Sequence, residues 1–194
     1  MEKQILVETS ARHIHLDQKA FDYLMDAKEG EHAVLNKKKD LSQPGQYACN
    51  EQVTIKGPKG QIEKVRILGP ERDNTQVEVS KTDSFKLGIN PPVRNSGDLS
   101  FASEITIIGP KGQITKKAAI IAARHIHASY NDAKKYGFID KKIVKIKVSG
   151  ERSGTLENVC VRLDDSFSLE AHIDTDEANA FLIESGDYGE LIIE

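Results

Sequence analysis

Hydrophobic and polar residues alternate along the chain over short stretches that Gly, Pro and Asp residues separate, a pattern typical of β-strands. A doubly wound sheet would need a helix after nearly every strand, and the chain lacks that regular alternation. The pattern therefore predicts a mainly β protein with short α-helices, built from small β-barrels. The predicted strands are Ile5 to Thr9, Val53 to Ile55, Val65 to Leu68, Ile105 to Ile108, Ala118 to Ala122, Lys142 to Val148, Thr155 to Leu163, Ser166 to Glu170 and Tyr188 to Ile193.

A few helical patterns interrupt the strands. In the first, apolar residues recur at helical spacing, with Asp17 as the N-cap and Gly30 as a C-terminal stop. A lysine-rich stretch at about 30–47, which contains Pro44-Gly45, predicts a hairpin-like excursion. The predicted helices span Gln18 to Lys28, Ser129 to Tyr136 and Asp174 to Leu182.

Two short motifs each occur twice. The pentapeptide Ala11-Arg12-His13-Ile14-His15 returns letter for letter at Ala123-Arg124-His125-Ile126-His127. The turn Gly57-Pro58-Lys59-Gly60 returns at Gly109-Pro110-Lys111-Gly112, and strand-like runs flank both copies, which predicts two similar hairpins. With 194 residues, the chain could form one domain or two small ones. The duplicated pentapeptide favours two.

Composition excludes several classes of function. A formal net charge of -3 argues against a nucleic-acid-binding protein, which would present a clearly basic face. The run Lys37-Lys38-Lys39 is short and predicts a solvated turn. No stretch is apolar enough to span a membrane, and no signal peptide precedes the first strand. Two cysteines are too few for a disulfide scaffold, so we expect a reducing cytoplasm.

The repeated histidine pairs are candidate metal ligands. Residues i and i+2 of a strand point to the same face, so His13 and His15 project together, as do His125 and His127. Each pair forms half of a zinc site, although a single such pair could equally be core or surface histidines. The identical second copy favours metal binding.

A positional pattern suggests further donors. His15 and His127 each precede a helix N-cap by two residues, and Glu78 and His172 stand in the same relation to Ser80 and Asp174. The free N–H groups of helix starts favour an anion such as phosphate or carboxylate. Three donors leave a coordination position open, as in catalytic zinc sites. The two predicted sets are His13, His15 and Glu78, and His125, His127 and His172.

The remaining histidine and the two cysteines receive simpler interpretations. His32 lies in the lysine-rich excursion and is predicted to be a surface residue. Cys160 lies in a strand-like run and is predicted to be a buried, inert thiol. The role of Cys49 stays open, since a soft metal ligand and a structural residue are both compatible with its position.

The chain resembles the PduL-type phosphotransacylases, or phosphate propanoyltransferases, from its first strand to Ala180. Five motifs in the same order carry this resemblance: Ser10-Ala11-Arg12-His13-Ile14-His15-Leu16, Gly69-Pro70-Glu71-Arg72-Asp73-Asn74-Thr75-Gln76-Val77-Glu78, Pro92-Val93-Arg94-Asn95-Ser96-Gly97, Ala123-Arg124-His125-Ile126-His127, and His172-Ile173-Asp174-Thr175-Asp176-Glu177-Ala178-Asn179.

The resemblance implies two packed small β-barrels with a pseudo-twofold internal repeat. One would contain residues 1–11 and 123–194, and the other residues 12–122. It also implies two Zn²⁺ ions held by the same six residues. Other divalent metals could bind there, and family likeness and ligand type favour zinc over cobalt, manganese or iron. The reaction would be reversible acyl transfer between coenzyme A and inorganic phosphate.

The implied reaction assigns roles to further residues. Arg72 is the candidate catalytic residue, since its guanidinium could clamp phosphate, although an ion pair with Glu71 or Asp73 is the alternative. Substrate-binding candidates are Arg94, Ser96 and Gly97. Zinc at the first set would suit the sulfur of coenzyme A, and zinc at the second would orient phosphate.

Two other functions are compatible with the residues alone: a two-metal hydrolase acting on thioesters or phosphate esters, and a non-catalytic metal-binding module. Relatives that work in bacterial microcompartments carry an N-terminal targeting extension, and this sequence shows none. We therefore expect a cytoplasmic enzyme for which acetyl-CoA and propanoyl-CoA are both candidate substrates. An oligomer is compatible with the sequence, and no nucleic-acid or membrane partner is expected.

Overall fold

The computed structural model describes residues 4–25, 27–28 and 30–193 of the chain. As predicted, strands dominate and the described helices are short. In chain order the elements are β1 (Gln4–Ser10), β2 (His13–His15), α1 (Gln18–Met25), β3 (Lys37–Asp40), β4 (Tyr47–Lys56), β5 (Gln61–Gly69), β6 (Gln76–Glu78), α2 (Lys81–Leu87), β7 (Val93–Arg94), β8 (Ser103–Ile108), β9 (Gln113–Ala122), β10 (His125–Ala128), α3 (Tyr130–Tyr136), β11 (Ile143–Val148), β12 (Gly154–Leu163), β13 (Glu170–Asp174), α4 (Thr175–Phe181) and β14 (Asp187–Ile192).

The chain divides into two compact units. The central unit runs from Arg12 to Ala122, and the terminal unit contains the described residues up to Ala11 together with those from Ala123 onward. The chain passes from one unit to the other at each copy of the pentapeptide, since β1 of the terminal unit leads into β2, and β9 of the central unit leads into β10. In each unit, therefore, the strand that carries the two histidines follows directly along the chain from a strand of the other unit.

The central unit is a closed six-stranded barrel. Its strands pair in the order β4, β5, β2, β6, β9 and β8, and β8 pairs back onto β4. Strand β3 pairs with β4, and β7 pairs with β9. The barrel interior is aliphatic, and α1 adds two fully buried side chains to it. Among its buried residues are Ile14, Phe21, Leu24, Ile55, Ile67, Ile105 and Ile107.

The terminal unit is a second closed barrel. Its strands pair in the order β1, β13, β10, β12, β11 and β14, and β14 pairs back onto β1. Its core is again aliphatic. The buried residues include Ile5, Val7, Ile126, Ile146, Leu156, Val159, Val161 and Ile173.

Both barrels follow one pairing scheme, which confirms the predicted internal repeat. The strand with the two histidines pairs parallel with one neighbour and antiparallel with the other, β2 with β5 and β6, and β10 with β12 and β13. In each strand the isoleucine between the histidines, Ile14 or Ile126, is fully buried in its own core. The alternation of a strand therefore places both histidines on the opposite face, as expected.

The repeated Gly-Pro-Lys-Gly turns have a structural role. Each closes a hairpin and places its lysine N–H against the end of a helix: Lys59 donates to the Leu87 carbonyl at 3.0 Å, and Lys111 donates to the Leu24 carbonyl at 3.1 Å. A Cβ atom on Gly57 would lie 2.2 Å from the Leu87 carbonyl oxygen, so this position requires glycine. The turns therefore satisfy helix C-terminal carbonyls.

Three element predictions need correction. The run Lys37-Lys38-Lys39 is exposed, as predicted, but it lies in strand β3 and not in a turn, because it pairs with β4. The predicted strand Ser166 to Glu170 is wrong: Asp164 accepts hydrogen bonds from the N–H and hydroxyl of Ser166, and the resulting turn delays the strand until Glu170. The first helix ends at Met25, earlier than the predicted Lys28; residues 26 and 29 lie outside the described residues. Within residues 30–47, β3 forms an antiparallel pair with β4.

None of the helices in the described part of the chain is long and apolar enough to cross a bilayer.

Candidate metal centres

The first candidate site lies in the central unit, where β2 and β6 run antiparallel. Their register places His13 opposite Glu78, and Nε2 of His13 lies 3.5 Å from Oε2 of that carboxylate. His15 lies on the same face, with its ring centroid 5.1 Å from that of His13. One donor atom from each of these three residues lies within 4.8 Å of the other two, and all three residues are buried.

The state of His15 suits a metal ligand. Burial is the main cause that lowers its pKa well below the usual value, and the charges of His13 and Arg72 add to the effect. The backbone of Leu68 forms a hydrogen bond with the imidazole. Its Nδ1 atom is buried and has no hydrogen-bond partner among the described residues. A neutral imidazole with one nitrogen held by the backbone and the other unsatisfied is the form that binds a metal ion.

The second candidate site lies in the terminal unit and has the same construction. Strands β10 and β13 run antiparallel, and their register places His125 opposite His172. The rings of His125 and His172 stack with centroids 5.1 Å apart, and the ring of His127 lies 4.8 Å from that of His172. One nitrogen of each ring again lies within 4.8 Å of the other two.

Hydrogen bonds orient the rings of this second site. The carbonyl of Ala123 lies 2.8 Å from Nδ1 of His125 and fixes Nδ1 as the protonated nitrogen, which leaves Nε2 as the donor for a metal. Nε2 of His172 is buried without a hydrogen-bond partner in the described structure. The donor types and the unsatisfied nitrogens therefore fit a divalent ion with an open coordination position at each triad.

The structure thus brings together the two sets that the sequence predicts, one in each unit. Their ligand types differ, with two imidazoles and one carboxylate in the central unit and three imidazoles in the terminal unit. Such a difference gives the two centres different net charges, so that two ions of one element would differ in reactivity.

All four donor segments lead into helix N-termini, as predicted. Reciprocal capping boxes join Ser80 with Asp83, Ser129 with Asp132, and Asp174 with Glu177. Asp17 caps the remaining helix by accepting from the N–H of Ala20 at 2.8 Å. These caps fix the exit of the chain two residues after each donor, so they restrict where each donor side chain can lie.

Gln76 is a residue of the first site that sequence reasoning missed. Its amide nitrogen donates to Oε1 of Glu78 at 2.6 Å and to the hydroxyl of Ser96 at 2.8 Å, and its oxygen accepts from the N–H of Gly97 at 2.7 Å. The amide orients the carboxylate so that its other oxygen faces His13. The available signal was its position, two residues before Glu78 on the same face of the strand.

Arg72 joins this network through Ser96, to whose hydroxyl it donates at 3.1 Å. The N–H of Arg72 also donates to the carbonyl of Leu16 at 3.0 Å, and its charge lowers the pKa of His15. Two of the three substrate-binding candidates, Ser96 and Gly97, therefore contact the side chain that orients Glu78. The charge of Arg72 lies close to the first triad.

Arg94, the third candidate for substrate binding, contacts neighbouring residues of its own loop. Its guanidinium donates to the carbonyls of Ser100 and Val93 at 3.0 and 2.8 Å, and Asp98 lies 3.7 Å away. A direct role of Arg94 in substrate binding stays a prediction.

Sequence comparison identifies the family. The family model for phosphate propanoyltransferase matches residues 6–184. The chain belongs to the phosphate propanoyltransferase family. It is 52% identical over 188 residues to a phosphate propanoyltransferase of Thermotoga maritima, which covers 96% of this chain and 88% of that protein. It is 56% identical over 181 residues to one of Priestia megaterium, covering 93% and 82%. A Listeria monocytogenes phosphate propanoyltransferase is 42% identical over 193 residues, covering 99% and 89%.

Membership of the phosphate propanoyltransferase family makes the protein an acyltransferase and argues against a non-catalytic metal-binding module.

The remaining histidine and the two cysteines lie outside both candidate metal sites. His32 is exposed, and its Nδ1 atom lies 2.7 Å from Oδ2 of Asp22, as expected for a surface residue. Cys49 and Cys160 are buried, and neither forms a disulfide within the described part of the chain.

Proposed function

We propose that the protein catalyses reversible transfer of a short acyl group, propanoyl or acetyl, between coenzyme A and inorganic phosphate, and that each triad binds one zinc ion. The observation that carries the proposal is the pair of three-donor clusters, one of which is linked to Arg72 by hydrogen bonds through Ser96 and Gln76. Zinc bound at the triads would supply Lewis acidity and affinity for sulfur and phosphate oxygen.

Arg72 is the proposed catalytic residue. It is half-buried, and both its backbone and its guanidinium are held by hydrogen bonds, to Leu16 and Ser96. A guanidinium held in this way binds phosphate oxygens and stabilises the negative charge that develops on the thioester oxygen during attack. In the forward direction phosphate attacks the acyl carbon, the carbon–sulfur bond breaks, and coenzyme A leaves with the electron pair of that bond.

The composition supports proposals on the class of partner and on the location of the protein. The net charge of -3 supports a small-molecule partner rather than a nucleic acid or an anionic membrane. With two cysteines the chain has too few for a disulfide scaffold, which supports a reducing cytoplasm as the location. Both acetyl-CoA and propanoyl-CoA are candidate substrates.

The test compares thiol release from propanoyl-CoA and acetyl-CoA with and without inorganic phosphate, and detects acyl phosphate by its reaction with hydroxylamine. We expect thiol release to require phosphate and to equal the acyl phosphate formed. A two-metal hydrolase, the alternative that the same ligands support, would release thiol at the same rate in phosphate-free buffer and would form no acyl phosphate.

A further inference from the structure

Two buried residues stand at equivalent positions beside the two triads. In the central unit, Gln76 lies opposite His15, and in the terminal unit Glu170 lies opposite His127. Each precedes the third donor of its triad by two residues, so each lies on the same face of its strand as that donor. Both are almost fully buried, with 2% and 3% of their surface exposed.

In the central unit the neutral residue supports a charged donor. The amide of Gln76 donates to Oε1 of Glu78 at 2.6 Å, and Oε2 of the same carboxylate lies 3.5 Å from Nε2 of His13. The amide therefore fixes one oxygen of the carboxylate and directs the other toward the histidines. This triad contains one carboxylate, and that carboxylate is itself a donor.

In the terminal unit the arrangement is reversed, because a charged residue supports a neutral donor. Oε1 of Glu170 lies 3.2 Å from Nε2 of His172. This nitrogen is the one that is buried without a hydrogen bond, so the carboxylate lies beside the atom that would face a metal ion. A cation held by His172 would lie close to this buried carboxylate, whose negative charge would stabilise the bound ion.

We propose that Gln76 and Glu170 are matched residues that give each metal centre one carboxylate: Gln76 positions the donor Glu78 in the central unit, and Glu170 places its charge beside the donor His172 in the terminal unit. This inference rests on the proposed metal binding. It assigns to Glu170 the charge that three neutral imidazoles lack, and it predicts that the terminal centre depends on the carboxylate of Glu170 for its affinity.

The first test removes that charge and keeps the shape. Chelator competition on the full-length protein should show that Glu170→Gln weakens binding of one zinc ion about 10- to 100-fold and leaves the other unchanged, the range typical of residues that orient metal ligands. In the cobalt-loaded protein, the visible absorption of one ion should shift. Glu190→Gln, which removes an exposed carboxylate from the same barrel, is the matched control and should match the wild type.

The second test rebuilds the terminal arrangement in the central unit. Glu78→His alone would give three histidines without a carboxylate, and we expect it to bind its ion about 10- to 100-fold more weakly than the wild type. Adding Gln76→Glu restores the carboxylate at the position equivalent to Glu170. The double variant should recover most of the lost affinity, and a purely structural role of Gln76 predicts no such recovery.

The outcomes separate this inference from the proposed function. A wild-type protein that binds no divalent metal would contradict both. If the wild type binds two ions and Glu170→Gln binds both with unchanged affinity and an unchanged cobalt spectrum, the matched-carboxylate inference is wrong while zinc binding stands. Far-ultraviolet circular dichroism shows whether each variant keeps its fold. If Glu170→Gln does not fold, the comparison of Glu78→His with the Gln76→Glu/Glu78→His double variant still decides the question.

Discussion

Nε of Arg12 donates a hydrogen bond to Oδ2 of Asp83 at 2.8 Å, and Arg124 makes the equivalent contact with Glu177 in the other unit. Each arginine immediately precedes a strand that carries two histidines. Each acid is the third residue of a helix whose N-cap follows the third candidate metal donor, Glu78 or His172, by two positions. In both units, therefore, one ion pair connects the start of the histidine strand to the helix that follows the remaining donor.

The first prediction concerns this ion pair. The side chain of Asp83 is 5% exposed and that of Arg12 is 43% exposed, so removing the guanidinium leaves a buried carboxylate with less compensation. We expect Arg12→Met to lower the free energy of unfolding by about 1–2 kcal/mol, less than for a fully buried pair because Arg12 reaches solvent. Urea denaturation measures the change.

The control for this prediction is Lys37→Met. It breaks a pair with Asp40 in which the two side chains are 53% and 71% exposed, and it should change the stability by less than about 0.5 kcal/mol. Equal losses in Arg12→Met and Lys37→Met would show that the buried carboxylate of Asp83 gains nothing particular from the arginine.

The histidine pairs and their partners could be predicted from sequence because the signals are local. A strand fixes which residues share a face, and a cap fixes where a helix begins, so His13, His15 and Glu78 follow from spacing alone. Spacing places Gln76 and Glu170 on the same strand face as Glu78 and His172, but it does not fix the side-chain orientations that bring the amide and the carboxylate against those donors. The turn at Asp164 was missed for a similar reason, since its side chain competes with strand pairing.

The second prediction concerns the ligands themselves. Glu78→Ala and His172→Ala should each reduce bound zinc by about one ion per chain and lower phosphate-dependent turnover, because each removes one of three donors. Metal analysis of the purified proteins measures the loss. His32→Ala is the matched control: its histidine is exposed and bonds Asp22, so the variant should keep the zinc content of the wild type. Full metal content in His172→Ala would contradict the assignment of the second triad.

The third prediction separates catalysis from metal binding. Arg72 is not among the proposed metal donors, so Arg72→Ala should keep the zinc content while kcat falls about 10²- to 10³-fold, the loss expected when a group that stabilises developing charge is removed. Steady-state kinetics and metal analysis of one preparation measure both quantities. Arg152→Ala, at an exposed turn, should behave as the wild type. Loss of metal together with activity in Arg72→Ala would indicate that the arginine maintains the site rather than acting in the reaction.

The fourth prediction uses the thiol of Cys49, which lies in β4 and is fully buried. Burial raises its pKa from 9.0 to about 11, with smaller contributions from the charges of Glu51 and Glu71. Only the thiolate reacts with alkylating agents, and a thiol with this pKa is about 0.1% ionised at pH 8. We therefore expect Cys49 to react with iodoacetamide at least about 100-fold more slowly in the native protein than in urea.

The raised pKa of Cys49 also predicts how its alkylation rate changes with pH. Because the pKa is raised, the thiolate fraction and hence the alkylation rate should rise about tenfold per pH unit from pH 8 to pH 10, as long as the protein stays folded. Peptide mapping distinguishes Cys49 from Cys160. Lys38→Cys, which places a thiol at an exposed position of the neighbouring strand, provides the reference rate for an accessible cysteine. If native Cys49 reacts as fast as this reference thiol, β4 must open readily to solvent, and the barrel of the central unit is less stable there than its buried core implies.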